Sequence, residues 1–241
     1  KYPDDFAVYL DKNTPKIAGF SCFIWNLRLH HEYAKRIKQS SPDAITIFGG
    51  PHFPDSPEEQ KAFMEKNPYI DFYIEFEGER AFVELYQALK EFNFDIAQFK
   101  SERRETPSLR YLIDGHFVQA PMIEKIKDLS ILPSPHLNGL SDKFYDDILI
   151  PMIQTTRGCP YQCTFCWEGG SYFTKIQRFP QERIHAEINY ISERISSKVP
   201  DLLIVDANFG MFDADLETAG SILESQNANK NNWPHTLLVA T

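Results

Sequence analysis

Three of the four cysteines, Cys159, Cys163 and Cys166, fall within eight residues. Thiols this close along a chain are placed to ligate a soft metal. Three thiolates hold three irons of a cubane and leave the fourth iron open, which suits a cluster that binds a substrate as well as carrying electrons. Structural zinc usually takes four protein ligands, so the competing reading is a zinc site that borrows Cys22 or a histidine. Gly158 and Pro160 suit a backbone that must turn sharply around such a group. The apolar run MIQTT (152–156) precedes the loop and a helical pattern follows it. That order places the loop at the carboxyl end of a parallel strand, where ligand sites of α/β folds lie.

The run RGCPYQCTFC (157–166), with Phe165 just before the third cysteine, resembles the loop of the radical S-adenosylmethionine (SAM) superfamily. The resemblance implies a [4Fe–4S] cluster on Cys159, Cys163 and Cys166, with the amino and carboxylate groups of SAM chelating the open iron. One electron, from a donor such as flavodoxin or ferredoxin, then cleaves SAM to methionine and a 5′-deoxyadenosyl radical. The family's barrel follows the loop, and its second strand offers backbone to the SAM amino group. Here that strand is LLIVDANFG (202–210), so Asp206, Ala207, Asn208 and Phe209 are the implied SAM contacts. Trp167 and Glu168, next to the last cysteine, are expected to touch SAM or substrate. Arg178 is a further candidate for a ligand carboxylate.

The first half carries a second resemblance. GFSCFIWN (19–26), FGGPHFP (48–54), FEGERAFVEL (76–85) and LSILPSPHL (129–137) are similar to the cobalamin-binding domain that precedes the barrel in one large radical SAM subfamily. It implies corrin contacts at Cys22, Phe23, Trp25 and Asn26, at Gly49, Gly50 and His52, and at Glu77, Gly78 and Glu79. Two departures are visible: the domain's first strand and helices are missing, and no histidine stands in a D-x-H-x-x-G context. The implied activity is cobalamin-dependent C-methylation of a small-molecule or natural-product substrate. The alternatives are another radical SAM reaction (rearrangement, ring contraction or methylthiolation) with the first domain as scaffold, or a non-enzymatic cluster- or zinc-binding module.

These loops need a scaffold, and hydrophobic periodicity supplies one. Strand-length apolar runs at 16–22, 44–50 and 70–76 alternate with helical patterns at 27–39, 55–67 and 81–92. Ser56 and Pro57 read as the N-cap and first position of the second helix. Strand–helix–strand spacing predicts a parallel sheet with right-handed crossovers. Asp114-Gly115 marks a hairpin within 108–120. The pattern restarts with a strand at 149–156, a helix at 181–195, a strand at 201–210, a helix at 213–226 and a strand at 235–241. The expected fold is α/β: a truncated Rossmann-like, cobalamin-binding-type parallel sheet over 1–92, a hairpin and linker over 93–148, and the start of a partial (β/α)6 radical SAM barrel over 149–241.

The chain has 241 residues, 42% hydrophobic and 24% charged, enough for a sizeable core. A formal charge of −9 disfavours nucleic acid or an anionic membrane as partner, since both need a positive footprint. With no secretory signal or spanning run in the sequence, the expected compartment is the cytoplasm. The start at Lys1 and the strand-like ending HTLLVAT lead to the expectation of an internal fragment with much barrel-facing apolar surface exposed.

Overall fold

The computed structural model describes residues 3–229 and 232–239. Contacts divide the chain between Lys125 and Ile126 into two units. In the first, α1 (Pro3–Lys12) leads to β1 (Ile17–Ser21), α2 (Leu27–Ser40), β2 (Ile45–Gly49), α3 (Pro57–Lys66), β3 (Phe72–Ile74), α4 (Gly78–Glu91) and α5 (Ile96–Ser101). Strands β1, β2 and β3 pair in parallel, with Ile17 beside Ile45 and Ile47 beside Phe72. Side chains on a strand alternate between faces, so this sheet has two cores. Ile45, Ile47, Phe72 and Ile74 meet Leu85, Leu89 and Phe99 of α4 and α5. Phe48 and Tyr73 meet Ala34 of α2 and Met64 of α3. Helices on both faces explain why β2 is nearly all apolar and buried.

β4 (Leu109–Ile113) and β5 (His116–Gln119) form the expected hairpin, with positive φ at both Asp114 and Gly115. The expected division set this hairpin and a linker, over 93–148, apart from the sheet. β4 runs antiparallel along β3, with Tyr73 beside Arg110, and the sheet order is β1-β2-β3-β4-β5. Tyr111 at β4 is wholly buried in the α4–α5 core, which gives the hairpin its reason to join the sheet. Residues 126–148 are likewise built into the second unit. Ile126 and Leu129 sit in its core, and buried His136 bridges the Tyr145 hydroxyl (2.7 Å) and the Met152 carbonyl (2.9 Å).

The second unit holds β6 (Met152–Ile153), a two-stranded ribbon of β7 (Thr156–Arg157) and β8 (Gln177–Arg178), then α6 (Gln181–Ser192), β9 (Asp201–Ile204), α7 (Asp213–Ala228) and β10 (Thr236–Val239). β6, β9 and β10 form a parallel sheet in the order β10-β9-β6. This is the strand–helix repeat with which the expected barrel begins. Ile184, Ile188 and Ile191 of α6 and Ile222 of α7 pack on Ile153, Leu202 and Ile204. Met152, Val205, Leu237, Leu238 and Val239 are exposed. Among the described residues no helix is long and apolar enough to cross a membrane.

Candidate functional site

The cysteine loop occupies residues 158–176, between β7 and β8. Pairing of those strands draws its two ends together, with Arg157 beside Gln177. At Gly158 φ is +98°, and an added Cβ would lie 2.5 Å from the Phe173 carbonyl oxygen and 2.8 Å from that of Lys175. Only glycine fits there. Cys159, the next residue, donates its N–H to that same Phe173 carbonyl at 2.9 Å and is 8% exposed. Cys163 and Cys166 are exposed, and all three thiols are free. A backbone bond from Cys166 to Cys163 (3.1 Å) and one from Gly169 to Cys166 (3.0 Å) coil the second half of the loop. The Gly169 α-carbon sits so close to the Cys163 carbonyl that no Cβ would fit. Trp167 packs on Phe173, ring centres 4.4 Å apart, while Phe165 is 91% exposed. Among the described residues no three His, Cys, Asp or Glu side chains converge as a metal centre, so the loop carries the thiols without gathering them to a point. The donor set still fits an iron–sulfur cluster: three free thiols on one glycine-pinned loop, one of them inside the protein. The zinc alternative gains nothing from Cys22, which is wholly buried in the first unit and donates to the His52 carbonyl at 3.2 Å.

The segment after β9 differs from the expectation that 206–209 lie on a strand. β9 ends at Ile204, because the buried Asp206 carboxylate takes the donors that a longer ladder would use. It accepts from Thr155 N (2.7 Å), Thr156 N (3.1 Å) and the Thr155 hydroxyl. The Asp206 side chain is therefore a clamp between β9 and the approach to the cysteine loop. Asn208 points back at the loop, its Nδ2 donating to Cys159 Sγ at 3.0 Å. Phe209 packs against the core of the unit, and Ala207 is half-buried. Arg178 is also occupied: its guanidinium lies 3.5 Å from Asp215 and 4.3 Å over the Phe212 ring. Trp167 and Glu168 directly follow the last cysteine, Trp167 exposed and Glu168 half-buried.

In the first unit the three parallel strands lead into loops 22–26, 50–56 and 75–77, which hold or adjoin the expected contacts at 22–26, 49–52 and 77–79. Parallel pairing puts those ends on one edge of the sheet. Phe23 and Trp25 stack at 4.7 Å and 15°, and Ile24 and Trp25 are each 77% exposed, an open apolar shelf. Asn26 shapes the turn by accepting from Phe23 N (2.9 Å) and donating to Ser21 Oγ (2.8 Å). The Cys22 side chain does not face this edge; burial pushes its thiol pKa up, partly opposed by a hydrogen bond with Tyr73. The glycine pair has a packing cause. Gly50 has φ +123°, and a Cβ there would stand 2.9 Å from both Cys22 N and O. Gly49 approaches the Ile74 carbonyl, 3.2 Å from an added Cβ. His52 is exposed, with its N–H on the Cys22 carbonyl at 3.0 Å. Glu77 precedes α4 as its N-cap residue, Gly78 opens the helix with no atom within 4 Å of an added Cβ, and Glu79 is exposed. Sequence reasoning missed the ion pair of buried Arg110 with half-buried Glu75 at this edge. Arg110 reaches Glu75 at 2.7 Å, and Gln60 donates to Glu75 at 3.4 Å and to the Pro54 carbonyl at 2.9 Å. The only signal was Arg110 at an otherwise apolar strand position.

Residues 2–86 match the B12 binding domain family. Over 225 residues the chain is 33% identical to the cobalamin-dependent radical SAM methyltransferase TokK of Streptomyces tokunonensis, covering 88% of this chain and 30% of the relative. Most of the chain is therefore similar to cobalamin-dependent radical SAM methyltransferases, and its first third matches the B12 binding domain family. Identity to the 2-(S-pantetheinyl)-carbapenam-3-carboxylate methyltransferase of Streptantibioticus cattleyicolor is 31% over 220 residues, 89% of this chain and 30% of that one. The chain thus spans under a third of the length of these relatives. The radical SAM methyltransferase TsrM of Kitasatospora setae, solved with cobalamin and a [4Fe–4S] cluster, has the same fold (TM-score 0.62, 17% identity, 98% of this chain and 45% of that one). The family match at 2–86 lies within the first unit, on the strands that carry the aromatic shelf.

Proposed function

We propose that the parent protein is a cobalamin-dependent radical SAM enzyme that methylates carbon in a small-molecule or natural-product substrate. The observation that carries this reading is the 33% identity to TokK, which runs through 88% of the chain and so takes in both the B12 binding sheet and the cysteine loop. When bound, cluster and corrin together supply reductive cleavage of SAM and methyl transfer.

The chain's own residues divide that work. Cys159, Cys163 and Cys166 hold the cluster, with Cys159 as the fixed point and the other two on the open arm of the loop. Trp167 and Phe173 pack together just past the last cysteine and would offer apolar surface beside the cluster. The turn at Ala207 and Phe209 offers backbone to the SAM amino group, and Glu168, two residues past the last cysteine, is a further contact to SAM or substrate. The edge formed by Phe23, Trp25, Asn26, Gly49, Gly50, His52, Glu77, Gly78 and Glu79 carries the corrin. There the aromatic shelf covers ring surface and the helix start at Gly78 presents amides to polar substituents. A flavodoxin or ferredoxin in the cytoplasm is the proposed electron source.

The test is anaerobic reconstitution of the full-length protein with iron and sulfide, followed by electron paramagnetic resonance with and without SAM and assay of 5′-deoxyadenosine. A cubane signal altered by SAM, with cobalamin retained through gel filtration, is expected. Stoichiometric zinc in place of iron would sink the enzyme reading. SAM cleavage without cobalamin retention would move the protein to another radical SAM reaction.

A further inference from the structure

We propose that Asn208 is a positioning residue for the cluster: its side-chain amide bonds to the Cys159 sulfur and holds the cluster's reduction potential up, and it does not bind SAM. The inference rests on the cluster reading above but assigns Asn208 a different partner from the one the family resemblance implies.

The geometry is specific. Of the three sulfurs only that of Cys159 belongs to a buried residue, and it is the one that Asn208 Nδ2 reaches, at 3.0 Å. Asn208 is fixed from both sides. Two residues before it, the Asp206 carboxylate is bound to Thr155 and Thr156. Two residues after it, Gly210 N–H donates to the buried Asp215 carboxylate at 3.0 Å, which also accepts from Phe212 N at 2.9 Å. The amide is therefore held in place by the fold before any ligand arrives. An N–H donated to a ligating sulfur draws electron density from it and stabilises the more negative, reduced cluster. Hydrogen bonds to the sulfurs are among the levers that set such potentials. The low dielectric around a buried thiolate strengthens the effect.

The test uses the full-length reconstituted protein without SAM and reads the cluster midpoint potential by electron paramagnetic resonance titration. SAM affinity is read separately by equilibrium binding. Asn208→Leu removes the donor at similar volume, and Asn208→Asp places an acceptor where the donor was. Both are expected to lower the midpoint, changing the oxidised-to-reduced ratio at a fixed potential by about tenfold, or about 59 mV for one electron. Asn208→Gln, which keeps the amide, is expected to recover much of that shift. If Asn208→Leu loads no iron, the isosteric Asn208→Asp protein decides on the same two measurements. A SAM-free midpoint equal to wild type overturns the inference, and if SAM affinity falls at the same time Asn208 is a SAM contact after all. Failure of the wild-type protein to form any cluster would instead refute the proposed function, so the two failures are distinguishable.

Discussion

Removing the Asp206 carboxylate should unfold the second unit selectively, and its contacts set the size of the effect. Asp206 is 1% exposed and accepts from two backbone amides, Thr155 N at 2.7 Å and Thr156 N at 3.1 Å, as well as from the Thr155 hydroxyl. In Asp206→Ala the hydroxyl can rotate to another partner, but the two amides cannot. Each buried donor left without a partner costs about 1–3 kcal/mol, so the substitution should destabilise by about 3–5 kcal/mol. Asp206→Asn keeps an oxygen for the amides and loses only the charge-assisted part, about 1–2 kcal/mol. Equilibrium urea unfolding separates these cases because the chain carries a local reporter. Trp233 is 2% exposed in the core of the second unit, its indole N–H on the Val199 carbonyl at 2.9 Å, whereas Trp25 and Trp167 are exposed already. The red shift on unfolding therefore follows the unit that holds Asp206. An Asp206→Ala protein within about 1 kcal/mol of wild type would refute the clamp, since no arrangement with two stranded buried amides is that cheap.

Three further outcomes are expected. Gly50→Ala should destabilise the first unit by at least about 1–3 kcal/mol, because φ +123° and the Cys22 backbone at 2.9 Å leave no room, while Gly78→Ala, with open space around it, should be neutral or mildly stabilising; thermal melts of the pair check the contrast. Burial, with a smaller contribution from Lys35 and His52 and opposed by the Asn67 hydrogen bond and Glu32, lowers the His31 pKa. The unfolded chain then binds the extra proton more readily, so stability present above about pH 6.5 is lost as pH falls toward the folded-state value. His31→Gln should flatten that acid limb in urea midpoints measured from pH 7.5 to 5. Under native, iron-free conditions iodoacetamide should modify Cys163 and Cys166 well before Cys22, which is wholly buried with its thiol pKa raised; peptide mapping at successive times reads the order.

How much of this fold was legible in the sequence depended on how local each signal was. The Ser56 cap is made where the sequence puts it, accepting from Glu59 N at 3.3 Å with Pro57 at the first helical position. The Asp114-Gly115 turn also formed as expected, because the demand for two positive φ values is met within two residues. Where that hairpin goes was not legible. Its docking on β3 is a contact between Tyr73 and Arg110, 37 positions apart, and nothing near Asp114 encodes it. The same distance problem hid the β7–β8 ribbon, two residues per strand, whose pairing closes a loop of some twenty residues.

For the site, the sequence supplied residue types but not the partners that give them a role. Gly49-Gly50 reads equally well as a place where a flat ligand approaches the backbone or where the backbone approaches itself. Cys22 N and O at 2.9 Å from a Gly50 Cβ select the second cause without excluding the first. Asp206 and Asn208 are two residues apart in one polar run, yet one faces Thr155 and Thr156 and the other faces Cys159. That division has a physical consequence. Two buried aspartates of the second unit, Asp206 and Asp215, satisfy backbone amides on either side of Asn208, so the turn that reaches the cysteine loop is shaped by the protein and not by a ligand. Substitutions at 206 and 215 should therefore act through stability. A substitution at 208 should leave stability nearly untouched and act on whatever Cys159 ligates. Comparing the two classes in one urea series separates scaffold from site without any knowledge of the substrate.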